Sequence, residues 1–74
     1  MKTVLVHNKY AQEEGVLILN ADYIVSIEPY NLSDDKKGSV IITPYNQYIV
    51  KETYHEILSL IAIVTMNYVN DQNI

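Results

Sequence analysis

The chain has no cysteine, arginine, phenylalanine or tryptophan, and only two glycines and two prolines among its 74 residues. Without cysteine, disulfides and thiolate metal sites are excluded. Without arginine, the chain lacks the side chain that usually makes bidentate contacts to phosphate and guanine. Two glycines are too few for a glycine-rich phosphate loop. His7 and His55 lie far apart in sequence and make a poor metal set. No catalytic residue, cofactor or metal ion is expected.

Acidic residues outnumber lysines nine to five, for a net charge of −4. That balance argues against nucleic acid as a partner. Seven tyrosines are the only aromatic side chains apart from histidine. A tyrosine buries a large ring and keeps a polar end, which suits core edges and interfaces. A chain of this length makes one domain. It buries only about 60–65% of its unfolded surface, so it is marginal alone. Small domains gain stability from disulfides, metals or oligomerisation, and here only the last remains. The start of the chain is too short and too soon polar for a signal peptide, so the expected location is cytoplasmic.

Residues 53–69 are the most apolar stretch and read as the single helix. Thr53-x-x-Glu56 is a helix-start signature, in which hydroxyl and carboxylate satisfy each other's backbone N–H. Stepping around the helix puts Ile57, Ile61, Val64, Tyr68, Tyr54 and Leu58 on a broad core arc. Leu60, Ile63 and Met66 recur every three residues and are read as lying off it. The apolar run falls short of the ~20 residues needed to span a bilayer, and it lacks the basic flank of a surface-lying membrane helix. Leu60, Ile63 and Met66 are therefore the expected interface, covered by a second copy or another protein partner.

Five short strands are expected before the helix. Residues 3–7 alternate in polarity. Residues 8–15 form a polar connection, and residues 16–19 are apolar on both faces, which reads as a central strand. Asn20-Ala21-Asp22 is a turn. Residues 23–28 form a third strand that Pro29 is expected to end, and residues 30–38 a solvated loop. Residues 39–43 and 47–51 form a hairpin about Pro44-Tyr45-Asn46, with Val40 and Ile42 on one face, and Tyr48 and Val50 inward. The expected fold is α+β: an antiparallel β-meander followed by one C-terminal helix, a single domain over 1–69 with a frayed tail at 70–74.

Several of these positions coincide with a known pattern. Leu19-Asn20-x-Asp22-x-Ile24 with Ile27-Glu28, the strand 40–42, Tyr48-x-Val50-Lys51-Glu52-Thr53 and Glu56-Ile57 together resemble the small bacterial FlbD/SwrD-like proteins. The resemblance covers about half the chain. It implies a strand, a hairpin and a capped helix, no catalytic residues, and an accessory role in flagella or swarming. The hairpin turn, the 30–38 loop and the longer helix depart from that pattern. A weaker resemblance is to CsrA-type RNA-binding regulators, whose basic strand edges this acidic chain lacks.

The remaining polar groups carry little chemistry. His55, in the first helical turn, has no nucleophile or second acid spaced to work with it and reads as facing solvent. Glu13-Glu14 and Asp34-Asp35 lack the alternating oxygens of a calcium loop. The resulting expectation is a non-enzymatic interaction protein that self-associates through its helix. The alternatives are a CsrA-type nucleic-acid regulator, or a ligand site formed at a subunit boundary by Tyr45, Tyr48 or His55.

Overall fold

The computed structural model describes residues 2–9 and 15–72. The order of elements is β1 (Thr3–His7), β2 (Val16–Asn20), a 3-10 turn (Ala21–Tyr23), β3 (Ser26–Asn31), β4 (Lys37–Ile42), β5 (Gln47–Val50) and α1 (Tyr54–Gln72). This is the expected α+β fold of five antiparallel strands and a C-terminal helix, with one refinement. The strands form two sheets, β1–β2 and β3–β4–β5. A bridge between Asn8 and Val50 joins them, flanked by Lys9 N–H donating to the Ile49 carbonyl and Lys51 N–H to the His7 carbonyl, each at 2.9 Å.

The core follows strand alternation. Val4 and Val6 of β1, Ile41 of β4, Val50 of β5 and Ile57 of α1 are buried, and Leu17, Leu19, Ile24, Ile27, Tyr48, Leu60 and Ile61 pack around them. Successive strand residues point to opposite faces, so Leu5, Val16 and Ile18 face outward and stay exposed. Leu5 and Ile18 are direct cross-strand partners. Apolar character on both faces of β2 therefore does not mark a central strand. Among the described residues β2 pairs only with β1, and its outer face is open.

Local chemistry explains the boundaries. Asn20 Oδ1 accepts the Asp22 N–H at 2.9 Å and starts the 3-10 turn, the Asx behaviour expected there. That turn takes up Tyr23 and delays β3 to Ser26. Pro29 does not end β3. It sits inside the strand opposite Ser39, which is tolerated because β3 is the edge of its sheet. The β3–β4 loop shrinks accordingly to residues 32–36. In the β4–β5 turn, Thr43 Oγ1 accepts the N–H groups of Tyr45 and Asn46 at 3.3 and 3.1 Å and donates to the Asn46 carbonyl at 3.0 Å. The connection at residues 10–14 and the last two residues of the expected tail lie outside the described residues.

Helix α1 begins as expected. Thr53 Oγ1 accepts the Glu56 N–H at 3.3 Å and donates to Glu56 Oε1 at 3.2 Å. The helix runs on to Gln72, so residues 70–72 are helical rather than frayed. At 1.5 Å per residue its 19 residues span about 28 Å. Strands of 5–6 residues span about 17–20 Å. The last helical turns therefore overhang the sheets: every residue from 66 to 70 is exposed, and the molecule measures 46 × 24 × 24 Å.

Gly38 marks a close approach of β4 to β5 and to Leu32. A Cβ there would fall on the Val50 carbonyl oxygen and 2.9 Å from Cγ and Cδ1 of Leu32. Gly38→Ala is expected to destabilise the domain by about 1–3 kcal/mol through overpacking. Urea unfolding checks this: an unchanged midpoint would mean that β4 and β5 are not packed this closely.

Candidate interaction surface

Helical geometry sorts the residues of α1 into two opposite stripes. At about 100° per residue, Ile57, Leu60, Ile61 and Val64 form one stripe, and with Thr65 beside them these are the buried or half-buried residues. Leu60 thus belongs to the core-facing side, packed against the buried cluster. This corrects the expectation that it lies off the core arc. Leu58 was expected on that arc and is instead 53% exposed. The reason is the position of Ile57: its complete burial sets the centre of the inner stripe, which carries Leu60 in and Leu58 out.

The opposite stripe holds His55, Leu58, Ser59, Ala62, Met66 and Val69, all exposed. It is uncharged apart from any proton on His55, and Ala62 at its middle leaves room for close approach. Of the three expected interface residues, Met66 lies on this stripe at 64% exposure, Ile63 flanks it at 55%, and Leu60 is turned away. The signal for Leu58, Ala62 and Val69 was in the sequence, as an i, i+4, i+8, i+11 series with Met66. It was hidden by the neighbouring apolar residues of the inner stripe.

His7 does more than strand-end alternation suggested. Its backbone N–H donates to Glu52 Oε1 at 2.8 Å, and its Nδ1 lies 2.6 Å from Glu52 Oε2. A carboxylate only accepts, so Nδ1 carries the hydrogen in this pair when Glu52 is ionised. The Glu52 carbonyl accepts from Ser39 Oγ at 2.9 Å, which accounts for a fully buried serine. His55 stacks at a tilt on Tyr54, 4.0 Å between ring centroids, and is exposed as expected. His7 and His55 share no metal-sized cluster: among the described residues, no group of three or more potential ligands converges.

The tyrosines named for a boundary site are partly gathered. Tyr45 and Tyr48 line one hollow with Tyr23, whose ring meets Tyr45 edge-on at 6.4 Å. His55 lies elsewhere, in a separate cleft with Pro29 and Thr53.

A further hollow, about 610 Å³, is lined by Lys9, Lys36, Lys37 and Lys51 with Leu32 and Ser33. The backbone explains the gathering. Lys9 follows β1 and Lys51 follows β5, and the Asn8–Val50 bridge sets them side by side. Lys37 opens β4, where Ser39 pairs with Val50, at the same end of the sheet. Lys37 Nζ donates to Asn31 Oδ1 at 2.6 Å. Lys9 Nζ donates to the Tyr30 hydroxyl at 3.3 Å and sits 4.8 Å from that ring's centroid.

No helix among the described residues is long and apolar enough to cross a membrane. Comparison with protein-family models, curated proteins and solved structures returned no match.

The Glu52 clasp yields a stability prediction. Glu52→Ala leaves the His7 N–H and ring without their acceptor, in a place where the Glu52 side chain is only 13% exposed. The expected loss is about 1–3 kcal/mol, and Glu52→Gln, which keeps an oxygen acceptor, recovers part of it. Equal unfolding midpoints for wild type and Glu52→Ala would show that the clasp contributes nothing.

Proposed function

We propose that this protein is a non-enzymatic interaction module that associates with a second copy of itself through the outer stripe of α1. The observation that carries this reading is the apolar series Leu58, Ala62, Met66 and Val69, exposed on the side of the helix opposite the core. A helix apolar on two opposite sides is stable in water only when both are covered. A second copy is the occupant that fits best. The stripe carries no fixed charge to oppose its own image, and an antiparallel pairing about Ala62 would set like residues into reciprocal positions. A chain of this size without disulfides also has most to gain from association.

Magnitudes set the strength of the pair. Leu58, Met66 and Val69 are each about half exposed. Covering the remainder on both copies contributes roughly 5–10 kcal/mol, against an association cost of about 4–15 kcal/mol. The dimer is therefore expected to depend on concentration, with Ile63 at its margin adding to the contact. A cytoplasmic accessory role like that of the FlbD/SwrD-like proteins is consistent with such a module and is part of the proposal.

Analytical ultracentrifugation across about 10 μM to 1 mM tests the reading. The wild type is expected to shift from monomer towards dimer. Leu58→Lys with Met66→Glu is expected to remain monomeric and folded by circular dichroism, since both side chains are more than half exposed. A wild type that stays monomeric at 1 mM overturns the proposal, as does a double variant that dimerises normally.

A further inference from the structure

A groove of about 380 Å³ runs between α1 and the chain that leads from the 3-10 turn into β3. Tyr54, Leu58 and Ile61 form one wall, and Ile24, Val25 and Ile27 form most of the other. Ile24 packs against the core, and alternation then turns Val25 outward, where it is 68% exposed. Leu58 belongs both to this wall and to the outer stripe of α1. Groove and stripe are therefore one continuous apolar surface.

We propose that this groove seats Val69 from the overhanging helix end of a second copy. The inference rests on the reading of the outer stripe as a dimer contact and adds a second, separate surface to it. In an antiparallel pair about Ala62, residues equally far before and after Ala62 lie level across the contact. Val69 thus comes level with His55, between Tyr54 and Leu58 of the other copy. The twofold axis also keeps each side chain on its own side of the contact line. At about 100° per residue, Leu58 and Val69 lie on the groove side of Ala62, about 20° apart, and Met66 lies on the other side. The partner's Val69 is therefore the residue delivered to the groove, while the partner's Met66 falls beside Ser59. Two observations favour this seat. Residues 66–70 are exposed, Val69 among them, so they reach another copy without leaving their own core. The stripe alone also leaves association close to its cost, and covering Val25 and the ring of Tyr54 adds apolar area on both copies. Tyr54 suits the rim of such a seat, because its ring is covered while its hydroxyl stays in water.

The chain has no cysteine of its own, so an introduced pair reports the contact directly. Val25→Cys with Val69→Cys in one chain is treated with a short bismaleimide at a concentration where the wild type dimerises. Within one copy, position 69 lies about 16 Å along the helix axis from the groove wall at Leu58. In the antiparallel pair the two copies of position 69 are about 21 Å apart along that axis. The double variant is expected to run as a covalent dimer on a denaturing gel, and each single variant as a monomer. Val25→Glu is expected to raise the dimer dissociation constant about tenfold or more, since it places a charge in an apolar seat, with an unchanged circular-dichroism spectrum. Ser33→Glu, the same charge on an exposed residue beyond the far end of β3, is expected to leave the constant unchanged. A wild type that stays monomeric overturns this inference together with the self-association reading. The outcome is different if the wild type dimerises and Leu58→Lys with Met66→Glu abolishes the dimer. Then a double cysteine variant that stays uncrosslinked, or a Val25→Glu variant that dimerises like wild type, overturns the groove assignment alone. Equal crosslinking of the single variants, or equal weakening by Ser33→Glu, overturns it as well.

Discussion

The clasp between Glu52 and the end of β1 holds the two halves of the molecule together. Through its side chain Glu52 takes both the backbone and the ring of His7, and through its carbonyl it takes the hydroxyl of the buried Ser39. One residue later Thr53 caps the helix. Strands β1 and β4 and the start of α1 are thus fixed within two residues of chain. The direction in which the helix leaves the sheets is set there, and so is the identity of the residues it turns inward. Ile57, one turn on, is fully buried as a consequence.

From that starting point, the rest is a matter of unequal lengths. Strands of four to six residues cannot cover a helix of nineteen. The first half of α1 packs on the core, while in the second half Lys2 lies over the Tyr68 ring and residues 66–70 are exposed. An outer stripe and an overhanging end are two results of one mismatch, and both leave apolar side chains in water. The same compact strand ends that hold the clasp also crowd the lysines together. The basic hollow is thus a product of strand register, with no basic run in the sequence beyond Lys36-Lys37 to announce it.

Much of the fold could be read from the chain. Five strands, the Thr53 cap, the Asn20 turn and the Pro44-Tyr45-Asn46 turn all rest on interactions within a few residues, and local patterns report these well. What failed to show was set by distant partners. Pro29 looked like a strand end because its neighbour across the ladder, and its edge position, are not visible locally. Val16 to Leu19 looked central because apolar character on two faces usually means burial. Leu60 and Leu58 exchanged sides because the helix phase is anchored by Ile57, and an apolar run offers several nearly equal phases. The candidate surface was legible as an excess of apolar residues on α1, but not as a particular stripe. The His7–Glu52 contact spans 45 positions, and no spacing rule links them.

Strand β2 carries one more implication. Its sequence Val16-Leu17-Ile18-Leu19 has neither charge nor proline, and its outer backbone edge meets no other strand among the described residues. Natural sheets usually blunt such an edge with lysine, proline or a bulge. Short β-branched and aliphatic segments left in this condition are the raw material of cross-β stacking. The nearest sequence gatekeepers are Glu13 and Glu14 on one side and Asp22 on the other. Like charges flanking such a segment oppose the in-register stacking of identical chains, so the protection of β2 lies in its sequence neighbours and not in its own side chains.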